Sequence, residues 1–240
     1  MAVFNVTDGS EPFLLVTLEK GESVFCESDA MVMMEPGLEV TGTLRGGVFQ
    51  SLVRTFTTGE SLFQQSIIAK TRSGDCLLAP QMNGDLAILD VSPSKSYCIT
   101  DGAFVAAESG VELKAKVQTN LGSAIFGQTG GFVIMQANGN GKLCVTGSGD
   151  LLTLDVDTQG NEEYTIDNGH VVAWESTLQH SLGVVNSGGL VRNLVNTVTS
   201  GEGMVLKFKG KGKVVVSSRN MRSLISKIVQ MITPAMRNNQ

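Results

Sequence analysis

The stretch Tyr97-Cys98-Ile99-Thr100-Asp101-Gly102-Ala103-Phe104-Val105-Ala106-Ala107-Glu108 occurs in two further forms along the chain, Phe25 to Glu35 and Tyr164 to Glu175. Each form reads as a strand bearing an aromatic residue, a turn at Asp or Asn, a second strand and a closing glutamate. A supersecondary unit written three times fixes the architecture before any single strand is argued, because every copy has to bury the same face. The first and second copies align at an offset of 72, matching Phe25 with Tyr97, Cys26 with Cys98 and Asp29 with Asp101, before one extra residue brings Glu35 to Glu108. The second and third align at 67, matching Tyr97 with Tyr164, Ile99 with Ile166, Asp101 with Asn168 and Glu108 with Glu175. Upstream, Gly84 to Val91 parallels Gly149 to Val156, with a two-residue insertion before the tyrosine.

Two more patterns extend the repeat. Gly46 to Ser61 lies over Gly188 to Gly203 without a gap, whereas the middle copy reads differently from Lys114 to Gly130. Glycines recur at Gly74, at Gly139-Asn140-Gly141-Lys142 and at Gly210-Lys211-Gly212-Lys213, between strand-like runs such as Phe132 to Met135 and Met204 to Leu206. Asn-Gly between apolar runs predicts a hairpin. Short strands at regular spacing then predict an all-β chain of three tandem β-sandwich units, or short double-stranded β-helices, over residues 1–80, 81–147 and 148–220. Residues 221–240 form a tail. There Met221, Leu224, Ile225, Ile228, Val229 and Ile232 recur at helical spacing before Pro234, which predicts an amphipathic helix from about Asn220 to Ile232.

Composition narrows the function classes. The chain of 240 residues has a net charge of -5, but eight of its 18 cations and none of its 23 acids follow Glu202, so residues 203–240 carry +8 and the rest -13. An acidic body disfavours general nucleic-acid binding, which needs clustered cations on the contacting face. Cys26, Cys76, Cys98 and Cys144 are scattered, with neither a CxxC pair nor a nearby His to complete a metal site, so they read as reduced, buried small hydrophobes. No basic leader with a long apolar run opens the sequence, and a cytoplasmic location is the default expectation.

Asp167-Asn168-Gly169-His170-Val171-Val172-Ala173-Trp174-Glu175, the run Gly59 to Phe63 and the run Gly201 to Leu206 resemble the bacterial relatives of the altered-inheritance-of-mitochondria family. The resemblance extends from about Phe13 to Asn220. It implies a triplicated fold similar to the tryptophan RNA-binding attenuation protein, and a homotrimer whose nine domains close into a ring. It brings no reaction, no cofactor and no protein partner beyond the chain itself.

Candidate chemistry is sparse. Glu35, Glu108 and Glu175 are related by repetition, so they point apart rather than converge on one substrate as an acid-base pair must, and they read as strand-end carboxylates. His170 and His180 have no nucleophile elbow beside them. His170, next to Gly169 and ahead of the only tryptophan, Trp174, is the corner where a small ligand for one copy alone is expected. Lys207, Lys209, Lys211 and Lys213 are the candidate nucleic-acid contacts, with Phe208 on the opposite face of the strand. A ring that reads RNA at every domain needs such cations in every domain, so the run is read as protection of a strand edge. The terminal helix has few cations and no aromatic anchor, which favours packing within the trimer over membrane contact. The sequence thus points to a non-enzymatic scaffold or interaction protein, with a ligand- or RNA-binding ring as the alternative.

Overall fold

Strand exchange between neighbouring segments organises the molecule. The structure, a computed structural model, describes residues 1–42, 64–118, 132–184 and 204–237. The first third holds Val3–Val6 (β1), Leu14–Leu18 (β2), Ser23–Glu27 (β3), Met31–Met34 (β4), Leu38–Gly42 (β5), Gln64–Ala69 (β6) and Gly74–Leu78 (β7). Next come Gly84–Val91 (β8), Tyr97–Thr100 (β9), Phe104–Glu108 (β10), Val111–Gln118 (β11), Phe132–Gly139 (β12) and Gly141–Ser148 (β13). The last third holds Leu151–Asp157 (β14), Tyr164–Asp167 (β15), Val171–Glu175 (β16), Gln179–Val184 (β17), Met204–Lys209 (β18) and Lys211–Ser217 (β19), followed by helix α1, Met221–Arg237.

The strands form sheets of order β1-β2-β7-β4, β5-β6-β3-β10-β13-β8, β11-β12-β9-β16-β19-β14 and β15-β18-β17. Each six-stranded sheet therefore crosses an expected boundary: β3 pairs antiparallel with β10, and β9 with β16. Buried residues alternate along β2 and β7, as expected for strands with one face on a core.

The glycine turns are not hairpins. β12 pairs with β11 and β9, whereas β13 pairs with β10 and β8, so Gly139-Asn140-Gly141 carries the chain from one sheet to another. Gly139 and Gly141 take φ of 108° and 144°, while Asn140 is not among the residues with positive φ, so the type I' geometry is missing. The same change of sheet separates β6 from β7 and β18 from β19. Consecutive strands pair instead as β5 with β6, β11 with β12 and β17 with β18, and also as β1 with β2. Their connections include Gly46 to Ser61 and Gly188 to Gly203, which lie outside the described residues.

Pairing also corrects the alignment of the first two segments. Ala106 opposes Cys26, and Ala173 opposes Ile99, which makes Cys26 the counterpart of Ile99 rather than of Cys98. Asp29, at φ 65°, then matches Gly102, at φ 75°. The offset becomes a constant 73 from Val24 and Tyr97 to Glu35 and Glu108, and the extra residue disappears.

Each joint also shares its core. Phe25 lies among Ile99, Ala107, Leu143 and Val145 and stacks on Phe104 at 5.5 Å, while its neighbours Val24 and Cys26 face the core of the first segment. Cys98 does the same one joint later, lying beside Trp174, Leu206 and Phe208. Truncating a buried Phe costs the transfer of the ring plus a cavity, so Phe25→Ala is expected to lower the unfolding free energy by about 3–5 kcal/mol in urea denaturation. A loss below about 1 kcal/mol would show that the ring does not hold the first joint together.

Candidate functional site

The three repeated glutamates have the same structural task. Glu35 Oε2 accepts the Asp75 amide at 3.2 Å, Glu108 Oε2 the Lys142 amide at 2.6 Å and Glu175 Oε2 the Lys213 amide at 3.2 Å. Each carboxylate reaches from the strand after the turn to the residue that follows a glycine: Gly74, Gly141 or Gly212. A Cβ on Gly141 would stand 2.8 Å from Glu108 Oε2, so the glycine is required for the approach. Glu175 also meets Lys95 Nζ at 3.3 Å across the second joint. There hydrogen bonding to Tyr97, and next to Glu175, raises the Lys95 ammonium above its usual range. An open cleft lined by Met1, Glu22, Glu108, Ser109, Gly110 and Asn140 adjoins the first joint, where Glu108 is already committed to its amide.

His170 and Trp174 have different surroundings. His170 ends a 3-10 turn, Asn168–His170, and its Nδ1 lies 2.8 Å from the Ser217 carbonyl, an acceptor that requires Nδ1 to carry the proton. Trp174 is 0% exposed, packed edge-on against Phe208 at 5.5 Å and His180 at 5.0 Å. Its Nε1 has no hydrogen-bond partner among the described residues. The ring that the sequence suggested as a ligand platform belongs to the core, because the inward positions of β16 point to β18 and β19 rather than to the turn.

The lysine run divides between two sheets and meets polar partners along it. Lys207 Nζ lies 3.2 Å from Glu163, Lys211 Nζ 2.9 Å from Asp157 and Lys213 Nζ 2.6 Å from Asp155, while Lys209 Nζ donates to Asn161 at 3.4 Å. Asp157 holds the Lys211 ammonium above its ordinary range, as Lys142 holds Asp90 below the usual carboxylate range in the preceding segment. With three of its four cations each matched by a neighbouring acid, the run leaves little field for a phosphate backbone.

All four cysteines are free and buried. Burial pushes the Cys26 and Cys76 thiols up to about 12 and raises Cys144 as well. No cluster of His, Cys, Asp and Glu able to hold a metal ion occurs among the described residues.

Two features escaped the residue-by-residue reading. One is the position of β4 and β15, each at an edge of its sheet among the described residues, the first exposing Val32, Met33 and Met34 at 52%, 43% and 37%. The signal available was the pair Met33-Met34 standing where the other copies have Ala106-Ala107 and Ala173-Trp174. The other is the mounting of α1. Ser223 N donates to Asn220 Oδ1 at 3.0 Å, capping the helix, and Asn220 Nδ2 donates to Asp167 Oδ1 at 3.3 Å, fixing it to the turn after β15. Gly169 makes room, since a Cβ there would stand 2.1 Å from Asn220 Nδ2. The helix continues past Pro234 to Arg237, longer than expected: proline removes one hydrogen bond in the last turn without reversing the chain. Its Leu224, Ile225, Ile228, Val229 and Ile232 are exposed. No helix among the described residues is long and apolar enough to cross a membrane.

These features define a nearly all-β protein of several antiparallel sheets whose distinctive surfaces are strand edges and one helix face. The chain matches the family described as mitochondrial biogenesis AIM24 over residues 4–219, and it belongs to that family. It is 30% identical over 218 residues to an uncharacterised protein of Streptococcus pyogenes serotype M6, covering 88% of this chain and 82% of the relative. The crystal structure of a second Streptococcus pyogenes protein superposes with a TM-score of 0.76 at 26% identity, covering 96% of this chain and all of that one.

Two outcomes test the geometry. Glu108→Ala strands the half-buried Lys142 amide and is expected to lower stability by about 1–3 kcal/mol, whereas Lys213→Ala, which removes a surface pair, changes it by less than about 1 kcal/mol; equal losses in chemical denaturation would contradict the assignment. With thiols raised to about 12, only about one in 10⁴ is thiolate at pH 8. A colorimetric thiol reagent is therefore expected to react with the cysteines only after denaturant is added, and rapid reaction of the native protein would contradict the burial.

Proposed function

We propose that the protein is a non-enzymatic scaffold: three tandem copies of one small β fold, similar to that of the tryptophan RNA-binding attenuation protein, assembling head to tail into a homotrimeric ring of nine domains. The observation that carries this reading is the pair of open edges, β4 at one end of the chain and β15 at the other, whose counterparts at both internal joints are paired. An open edge with exposed apolar side chains invites another strand, and a head-to-tail contact between copies either closes into a ring or grows into a filament. Closure at three follows from the family resemblance. The exposed apolar face of α1 starts beside β15, so in such a ring it packs on a neighbouring subunit rather than on a membrane. Four free thiols suit a reducing, cytoplasmic setting.

The nucleic-acid alternative rests on the lysine run, and its pairing with Glu163, Asp157 and Asp155 weighs against it. No group in the described residues nominates a reaction. Multi-angle light scattering at micromolar concentration is expected to give three times the chain mass of 25.4 kDa. A monomeric mass would overturn the assembly.

A further inference from the structure

The sheet β15-β18-β17 and the sheet β1-β2-β7-β4 are the unmatched halves of an arrangement that the chain completes twice elsewhere. In β5-β6-β3-β10-β13-β8, three strands come from before the first joint and three from after it, and β11-β12-β9-β16-β19-β14 repeats the order one joint later. Strand by strand, β17, β18 and β15 stand where β11, β12 and β9 do, and β4, β7 and β2 stand where β10, β13 and β8 do. Joining β15 to β4 gives β17-β18-β15-β4-β7-β2, the same order with β1 added at the far edge. Within one chain these two edges are not paired with each other, so the complementary edge has to come from a second copy.

The internal joints also fix the register. The first pairs Ala106 with Cys26, Ala107 with Phe25 and Glu108 with Val24; the second pairs Ala173 with Ile99, Trp174 with Cys98 and Glu175 with Tyr97. These are the same three positions under the offsets of 73 and 67. We propose that β4 pairs antiparallel with β15 of the partner subunit, with Met33 opposite Ile166, Met34 opposite Thr165 and Glu35 opposite Tyr164. This rests on the head-to-tail assembly proposed above and specifies its contact.

Side-chain volume supports the register. At the middle position a large residue faces a small one, Phe25 with Ala107 and then Trp174 with Cys98, both pairs entering the core on the far side of the joint. Met34 with Thr165 continues the series, again large against small. At the next position Ile166 already packs against the third core, so Met33 would close over that side as Ala106 and Ala173 do over theirs. Tyr164, now 43% exposed, would lie against Glu35 as Tyr97 lies against Glu175. Pro36 follows Glu35 and has no amide hydrogen, so the ladder ends there, at the base of the glutamate clamp.

Cysteine pairs in the full chain test this directly. Met34→Cys with Thr165→Cys, and Glu35→Cys with Tyr164→Cys, are adjacent facing pairs, so one of them is a non-hydrogen-bonded pair, with the closer side chains that a disulfide needs. Mild oxidation is expected to convert at least one variant to covalent oligomers ending at the trimer, while Met34→Cys with Ile166→Cys, one residue out of register, stays uncrosslinked. Circular dichroism identifies any variant that fails to fold, and mixing singly substituted chains then replaces it. Trimeric mass without in-register crosslinks, or equal crosslinking of the offset pair, would overturn the register and leave the assembly standing. A monomeric unmodified chain, or a disulfide formed within one chain, would overturn both, and capture of an unrelated protein on either edge by these cysteines would identify a different occupant.

Discussion

Strands β3 and β9 are complete only when a strand of the next segment lies beside them. The ladders β3 with β10 and β9 with β16 run through the middle of the six-stranded sheets, and the side chains on them enter cores on both sides. Neither of these ladders can therefore be buried by one segment alone. Hydrogen bonding makes this a strict requirement, since a buried strand edge without a partner leaves a row of amides and carbonyls unsatisfied. The shared core adds the apolar drive, and the glutamate clamps hold the strand after each turn at a fixed distance from the glycine corner.

That requirement organises the rest of the molecule. It explains why charge and polar chemistry recur in place but do not converge: Glu35, Glu108 and Glu175 each close a joint locally, and Lys207, Lys211 and Lys213 are tied to the acids Glu163, Asp157 and Asp155. It also leaves a polarity in the chain. One end displays β4 with its exposed methionines, and the other displays β15 with α1 rooted beside it through Asn220.

Much of this was legible in the residues, and the misreadings have physical causes. The all-β character and the terminal helix follow from periodicity and turn chemistry. The first offset was misread because Phe25 and Tyr97 are alike as rings, although position matches Phe25 with Cys98. The volume at that site is shared across the ladder, Phe25 with Ala107 and Cys98 with Trp174, so neither strand alone preserves it. The glycine turns were misread because a corner between sheets and a hairpin both call for glycine at positive φ. Trp174 looked like a platform for a ligand because the sequence cannot state which face of β16 meets β18 and β19. The open edges carry no residue type of their own and emerge only from the order of the strands.

Hydrogen exchange read peptide by peptide tests the central claim most directly, by following the backbone amides of Met31–Met34 and Tyr164–Asp167 as protein concentration is raised. If each segment must be completed by the next, both sets of amides become protected together over the range where the mass reaches that of the assembly. Continued fast exchange of both strands in the assembled protein would contradict the account.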